Sequence, residues 1–199
     1  SASNNLVVHP ALNAGTSDLT LSAGNLLTIE AGATLAGANI TLSADRMDLK
    51  NAAGTTNAGS GTLWLKPTSA SWDIDLGSPL DNNGYLALST NELNTLAGTG
   101  ILRLGATTAG NLNVSAAIAP AYAGSVSLES GGNITQAAAG TISTAKLALT
   151  ALGDVSLNTA ANAVTDIAAH IGDGTPQNRN FKFKNAGALN VAANIDGMS

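Results

Sequence analysis

The sequence predicts an all-β fold, a parallel β-solenoid (β-helix) with about 21–23 residues per coil and two to three strands per coil. Pairs of apolar residues separated by one position recur at two nearly constant phases, which is the pattern of half-buried strands. Turn-forming residues are abundant, with 22 glycines, whereas only 11% of residues are charged and 3% are aromatic. A regular period in such a chain indicates stacked repeats, in which each coil buries its apolar face against the next.

Two series of apolar pairs define the coils. The leading series steps by 21–24 residues, apart from one step of 16 and one of 34, and consists of Leu19/Leu21, Ile40/Leu42, Leu63/Leu65, Leu86/Leu88, Leu102/Leu104, Val126/Leu128, Leu147/Leu149 and Phe181/Phe183. The trailing series follows 7–11 residues later and consists of Leu27/Ile29, Met47/Leu49, Ile74/Leu76, Leu112/Val114, Ile134 alone, Val155/Leu157 and Leu189/Val191. Two series at constant phase predict two strands per coil on two faces of one stack.

The remaining residues of each coil predict turns and a third short strand. The strand is expected at Thr34–Leu35, Ile142 and Val164/Ile167. Glycine and asparagine suit the turns because both tolerate left-handed backbone. Irregular loops are predicted at 51-61, 66-72 and 77-84.

The last coil predicts an insertion. Leu147 to Phe181 and Val155 to Leu189 are both steps of 34 residues, so one inserted loop at 170-180 explains both. Residues 1-199 are predicted to be a single β-solenoid segment and, because the pattern runs to both termini, part of a longer protein. An antiparallel sandwich is a weaker alternative, since it needs hairpin turns roughly every 8–12 residues.

Composition excludes several classes of function. The net charge is −5, from 13 acidic and eight basic residues, with no Lys/Arg run, so nucleic-acid binding is not expected. No apolar run approaches the roughly 18 residues of a membrane span, so membrane insertion is not expected either. The absence of cysteine excludes thiolate metal sites and disulfides. No cofactor or metal motif is present, and none is predicted.

One pair of carboxylates suggests an alternative function. Asp73 and Asp75 alternate along a predicted strand and so share one face of it. Polysaccharide cleavage needs such a pair as acid and base or nucleophile, so a β-helix enzyme is an alternative. No third acid occurs at this phase one coil away, and outward strand positions are ordinarily polar. The sequence therefore predicts that the protein is not an enzyme and has no catalytic residues.

A second group of residues predicts a binding surface. Trp64, Trp72 and Tyr85 lie close together in a chain with six aromatic residues. They could bind a glycan or another protein, or cover the core locally. His170 and Asp173 in the inserted loop extend this candidate surface. Three N-x-[ST] sequons mark possible glycosylation at Asn39, Asn113 and Asn133.

The sequence also resembles a known family. The stretches that carry the resemblance are GTLWLKPTSASWDIDLG, LALSTNELNTLAGTGILRLG, NLNVSAAI, SVSLESGGNITQAAAGTISTAKLALTALGDVSLNTAANAVTDIAA and FKFKNAGALNVAANIDG. They resemble the filamentous haemagglutinin-like large exoproteins of Gram-negative bacteria over residues 60–199, and more loosely over 18–50. The family's secretion domain carries NPNL- and NPNG-type motifs, which this sequence lacks. The resemblance is therefore to the repetitive shaft.

The resemblance implies a right-handed parallel β-helix that is secreted through an outer-membrane partner transporter to the cell surface. It implies a structural or adhesive module that functions in cell adhesion, filament formation or the biofilm matrix. The expected partners are a receptor or glycan on a host or neighbouring cell, or other copies of the chain in a filament. A glycan-binding module is an alternative.

Overall fold

The computed structural model describes residues 4–78, 84–122, 124–175 and 178–198. The strands of the first half are β1 Leu6–Val8, β2 Leu12–Asn13, β3 Leu19–Ser22, β4 Leu26–Ile29, β5 Leu35–Ala36, β6 Ile40–Ser43, β7 Arg46–Leu49, β8 Thr56–Asn57, β9 Thr62–Lys66 and β10 Asp73–Leu76. The chain continues with β11 Tyr85–Leu88, α1 Thr90–Leu93, β12 Leu96–Ala97, β13 Ile101–Ala106, β14 Leu112–Val114, β15 Ser125–Ser130, β16 Ile134–Gln136, β17 Ser143–Ala151, β18 Val155–Ile171, β19 Phe181–Asn185 and β20 Asn190–Val191.

The strands stack in parallel on three faces, which confirms the predicted β-solenoid. The leading face stacks strands in the order β3, β6, β9, β13, β15, β17, the second half of β18, and β20. The trailing face begins with β1, β4 and β7 and continues with β11, β10, β14, β16, the first half of β18, and β19. The short-strand face stacks β2, β5, β8 and β12 and is extended by a bridge from Ile118 to Ile142. Over the described residues, the stack contains about eight coils.

The core forms because inward residues of successive coils lie in register. In β9, Leu63 and Leu65 are fully buried, whereas Trp64 between them is partly exposed. Ile40 pairs with Leu63, and Leu63 pairs with Leu102, so each side chain packs on its counterpart one coil away. Burying such an aliphatic side chain stabilises the fold by roughly 1.5–3 kcal/mol. The same main cluster extends from the first coil to the last.

The assignment of Leu86/Leu88 to the leading series is wrong. These residues belong to β11, which pairs with β10 on the trailing face. Their coil contributes two strands to that face, in inverted order, with β11 beside β7 and β10 beside β14. The extra strand accounts for the 39 residues between Leu63 and Leu102, which are directly paired. An x-Leu-x-Leu pattern indicates that one side of a strand is buried, but it does not indicate on which face of the solenoid the strand lies.

The two series are also exchanged in the last coil. Ile167, predicted in the third strand, pairs with Leu147 and with Val191, so all three lie on the leading face. Phe181 pairs with Val155 and belongs to the trailing face. The sequence did not reveal this leading-face strand, because its second inward residue is Ala169, which pairs with Leu149. An alanine at the second inward position removes the apolar pair from the sequence pattern.

The predicted loop boundaries need smaller corrections. Segment 51-61 contains β8, and 66-72 begins with the last residue of β9. The inserted loop begins at Gly172, since His170 and Ile171 complete β18. Parts of the two remaining loops, 79–83 and 176–177, lie outside the described residues. Across the described ranges, no helix is long and apolar enough to cross a membrane.

The C-terminal residues fold back over the outer side of the leading face. Asp196 and Gly197 have φ values of 49° and 82° and close a two-residue hairpin between Ile195 and Met198, the geometry that an Asp-Gly sequence favours. Ile195 packs on Ala148 and Ala168. Ser125 of β15 also donates its hydroxyl to Asp196, and this cover contributes to the burial of β15 along its whole length.

Tyr122 is a polar side chain that is buried in the core. It is 6% exposed, and its Oη has no hydrogen-bond partner among the described residues. The ring lies against Gly98, where an added Cβ would be 2.9 Å from Tyr122 Cζ. Burial raises the pKa of Tyr122 to about 12, because the phenolate would lose its hydration.

Replacing Tyr122 by phenylalanine is expected to leave the free energy of unfolding unchanged or raise it by up to about 1 kcal/mol, because an unpaired buried hydroxyl is removed. The variant should also be less sensitive to alkali. Between pH 10 and 12 the unfolded chain loses the tyrosine proton while the folded chain keeps it. The free energy of unfolding of the wild type therefore falls by about 2–3 kcal/mol over this range. Urea unfolding of both proteins at pH 9 and pH 12 measures the difference, and an identical decline in both would contradict it.

Candidate binding surfaces and the ladders between coils

A ladder of Asp and Asn side chains joins successive coils at the corner before the trailing face. Each side-chain Oδ1 accepts the main-chain N–H of the next Asx residue along the stack. The N–O distances are 2.6, 3.0, 2.8 and 3.0 Å along the series Asp73, Asn111, Asn133, Asp154 and Asn180. We call this series the trailing ladder. Asn180 also donates its side-chain amide to Asp154, and these hydrogen bonds, the main-chain one foremost, lower the pKa of Asp154.

Glycine precedes three rungs of the trailing ladder for a steric reason. A Cβ at Gly132 would lie 2.5 Å from the Oδ1 of Asn111, the oxygen that bonds the next rung. Gly110 and Gly153 face Asp73 and Asn133 in the same way. The dipeptides Gly-Asn and Gly-Asp, predicted as ordinary turns, are therefore units that connect one coil to the next.

The sequon asparagines all make hydrogen bonds between coils. Asn39 donates its amide to Asp18 (2.8 Å) and accepts the N–H of Thr62 (2.8 Å). Asn133 is a rung of the trailing ladder, and Asn113 accepts the hydroxyl of Thr135 at 3.1 Å. Each asparagine thus has a structural role, and glycosylation at these positions stays a prediction.

Trp64 makes a hydrogen bond and two cation–π contacts with residues of the leading face. Its indole N–H donates to the carbonyl of Gly105 at 2.7 Å. The ring lies under two cations, with Lys66 Nζ 3.9 Å and Arg103 Cζ 4.1 Å from its centroid. The Arg103 guanidinium also donates two hydrogen bonds, of 2.7 and 2.8 Å, to the Glu129 carboxylate. Together these contacts join three successive strands across their outer side, a role that the sequence did not reveal.

Trp72 lies in the loop that follows β9 and is held there by Asp45. Its indole N–H donates to the carbonyl of Asp45 at 2.8 Å, and its ring packs against the core. The Asp45 carboxylate organises the same loop by accepting the N–H groups of Thr68 and Ser69 at 3.0 and 2.7 Å. The three aromatic residues of the predicted surface therefore lie apart, because Trp64 is on the leading face, Trp72 is in a loop and Tyr85 is on the trailing face.

Tyr85 lies beside a shallow pocket on the trailing face. The pocket has a volume of about 220 Å³ and is lined by Asp73, Ile74, Asp75, Tyr85, Asn111 and Asn113. The two carboxylates project from the same side of β10, as predicted. Asp73 already accepts the N–H of Asn111, whereas the buried Oδ1 of Asp75 has no hydrogen-bond partner among the described residues. Amide, carboxylate and aromatic groups at one place can bind a polyhydroxylated ligand.

His170 and Asp173 lie at the far end of the stack. His170 is exposed in β18 beside Thr150, and Asp173 is exposed in the following loop. The hydroxyl and main-chain N–H of Thr175 donate to the Asp173 carboxylate and lower its pKa, the hydroxyl having the larger effect. Over the parts of the chain that the structure describes, no group of three or more His, Asp or Glu side chains could hold a metal ion.

No family model, no curated protein and no solved structure matches this chain. The resemblance to the filamentous haemagglutinin-like exoproteins therefore stays a prediction from the sequence.

Proposed function

We propose that this chain is a structural and adhesive module, a shaft segment of a secreted bacterial surface exoprotein that functions in cell attachment or in filament or matrix formation. The observation that supports a structural role best is the trailing ladder. Its side chains could serve as acids, bases or ligands elsewhere, and here they bond one coil to the next. Repetition of such bonds along a continuous core suits a rod that resists unfolding.

The proposal includes a location and partners. The module would lie outside a Gram-negative cell after export through an outer-membrane partner transporter. It would contact a receptor or glycan on a host or neighbouring cell. The extended surface of a solenoid suits many weak contacts spread along its faces, and multiple engagement converts such contacts into strong attachment.

The adhesive role can be tested with beads that carry the purified chain. They should bind to epithelial or bacterial cells in a saturable manner, and excess free chain should release them, because the same surface is involved. Beads that carry an unrelated β-rich protein are the control. Attachment no greater than that of the control beads on every cell type would count against adhesion.

A second candidate function is saccharide recognition at the trailing-face pocket, favoured by the carboxylate, amide and aromatic side chains that line it together. Replacing Asp75 by alanine should then abolish signals on a glycan array. Asp73→Ala is an unsuitable control because Asp73 supports the ladder, so Ser156→Ala, also on the trailing face, serves instead. An array without signal for the wild type would end this candidate.

The enzyme alternative predicts loss of polysaccharide cleavage in the double variant Asp73→Asn, Asp75→Asn. We expect the wild type and this variant to behave alike, with no cleavage by either. The variant should remain folded, because asparagine already fills the equivalent rungs at 111 and 133. Reducing-end release by the wild type, lost in the double variant, would overturn this expectation.

A further inference from the structure

The outer side of the trailing face carries a row of polar side chains that lie in register on neighbouring strands. The row crosses β10, β14, β16, the first half of β18 and β19, and its members are Asp75, Asn113, Thr135, Ser156 and Lys182. We call it the outer row. Each member alternates with the inward residues of its strand, so its side chain points away from the core. Thr135 and Lys182 are exposed, and the other members are partly exposed.

The charges on this surface are separated along the stack. Asp73 and Asp75 lie on β10, whereas Lys182 lies four strands further along, on β19. The three members of the outer row between them are uncharged. Among the described residues, neither Asp75 nor Lys182 belongs to an ion pair. Both charges can therefore pair with opposite charges on another molecule.

A second copy of the chain, facing this surface with its stack inverted, supplies the opposite charges in the right places. We consider a two-fold axis that runs between the two copies in the direction of β16. This axis places Asp75 of each copy opposite Lys182 of the other. Asn113 then lies opposite Ser156, and Thr135 lies opposite its own counterpart. The outer row is thus complementary to itself along its whole length.

The trailing ladder fits the same arrangement. The axis exchanges the first rung with the last, so the Asp73 carboxylate faces the Asn180 amide. It exchanges the second rung with the fourth, so the Asn111 amide faces the Asp154 carboxylate. Asn133 faces its own counterpart. Every carboxylate on these two rows therefore meets an amide or an ammonium group, and no like charges are opposed.

Other arrangements are less favourable. A two-fold axis along the stack would bring β10 of one copy against β10 of the other, so the carboxylates of Asp73 and Asp75 would face each other. Lys182 would then face Lys182, and like charges opposed across an interface disfavour association. The outer side of the leading face is less accessible, because Ile195 of the C-terminal hairpin packs on Ala148 and Ala168 there.

We propose that two copies of this chain pair side by side through their trailing faces, with their stacks antiparallel and the two-fold axis at β16. The contact is isologous, because each copy contributes the same surface. The inference rests on the proposed shaft function and deepens it by naming a second copy as the partner. Antiparallel pairing suits shafts that extend from two neighbouring cells. One contact spans few coils and is weak, and repetition along a shaft strengthens it.

Thr135 provides the most direct test, because it faces its own counterpart across the axis. The chain has no cysteine, so Thr135→Cys introduces a single thiol. A bifunctional maleimide can bridge the roughly 10 Å between facing sheets and should convert this variant into a covalent dimer. Thr20→Cys, exposed on the outer side of the leading face, is the matched control and should remain monomeric.

Charge reversal tests which residues face each other. In the Thr135→Cys background, Asp75→Lys alone or Lys182→Asp alone opposes like charges and should lower the dimer yield about tenfold. The double reversal restores opposite charges and should restore the yield. Added salt should weaken the Thr135→Cys dimer for the same reason. Circular dichroism confirms that each variant is folded before cross-linking.

Three results would overturn the proposal. They are a Thr135→Cys variant that cross-links no more than Thr20→Cys, single reversals without effect, and a double reversal that stays monomeric. If the chain never cross-links and Asp75→Lys loses signals on a glycan array, the surface binds a saccharide instead. Cell attachment is measured separately on beads, so the pairing and the proposed adhesive function can fail independently.

Discussion

Gly61→Ala is expected to destabilise the protein by at least about 3 kcal/mol, a large fraction of the roughly 5–15 kcal/mol by which an ordinary domain is stable. Gly61 lies in a column with Gly100 and Gly124 at the corner before the leading face. An added Cβ would lie 2.8 Å from the carbonyl carbon of Ala38 and closer still to its oxygen. Those atoms belong to the backbone of the neighbouring coil, so relief requires the coils to separate. Chemical denaturation followed by circular dichroism measures the loss.

Two other glycines provide a graded control for this prediction. At Gly187 an added Cβ meets nothing within 4 Å, so Gly187→Ala should be neutral or slightly stabilising. At Gly37 the nearest atom is 3.1 Å away, and the effect should be intermediate. Equal effects at Gly61 and Gly187 would show that close approach of neighbouring backbones does not determine the tolerance of these corners.

Asn162→Ala is expected to destabilise the protein by about 4 kcal/mol. The Asn162 side chain is fully buried, and its Oδ1 accepts from Gln136 Nε2 (2.7 Å) and from the N–H of Ile142 (2.9 Å). Its Nδ2 donates to the carbonyls of Leu157 and Lys184 at 3.0 and 3.1 Å. Alanine leaves these partners unpaired, at a cost of about 1–3 kcal/mol each before relaxation.

The control for this prediction lies in the same strand. Asn158 is exposed in β18, and Asn158→Ala should change the free energy of unfolding by less than about 0.5 kcal/mol. Urea titrations of the two variants and the wild type give both values. A loss below about 1 kcal/mol for Asn162→Ala would contradict the role of this amide in joining three coils.

The fold could be predicted from the sequence wherever large apolar residues occupy both inward positions of a strand. The leading series contains Ile40, Leu63, Leu102, Val126 and Leu147, and these residues pair in that order. The prediction failed where an inward position is alanine, as in the second half of β18. It also failed at β10 and β11, because a pattern of burial does not specify the order of strands on a face.

The side-chain contacts between coils were harder to predict from the sequence. Gly-Asx dipeptides at 110, 132 and 153 recur with the coil period, so the trailing ladder has a signal in the sequence, but the same dipeptides also suit ordinary turns. Asn162 left none, since one asparagine among alanines is typical of an exposed turn. The contact between Arg103 and Glu129 was equally hidden, because it depends on which strands are neighbours.

A disulfide test of register in the last coils addresses the central claim most directly. The structure pairs Thr150 with His170 on adjacent strands, whereas the series in the sequence would pair Thr150 with Lys184. Neighbouring strands lie about 4.8 Å apart, within the range that a disulfide spans, and the chain has no other cysteine. After mild oxidation, the variant with cysteines at 150 and 170 should form an intramolecular bond, detected by non-reducing electrophoresis and mass spectrometry. The variant with cysteines at 150 and 184 should remain reduced, and the reverse outcome, or no bond in either variant, would contradict the in-register parallel solenoid.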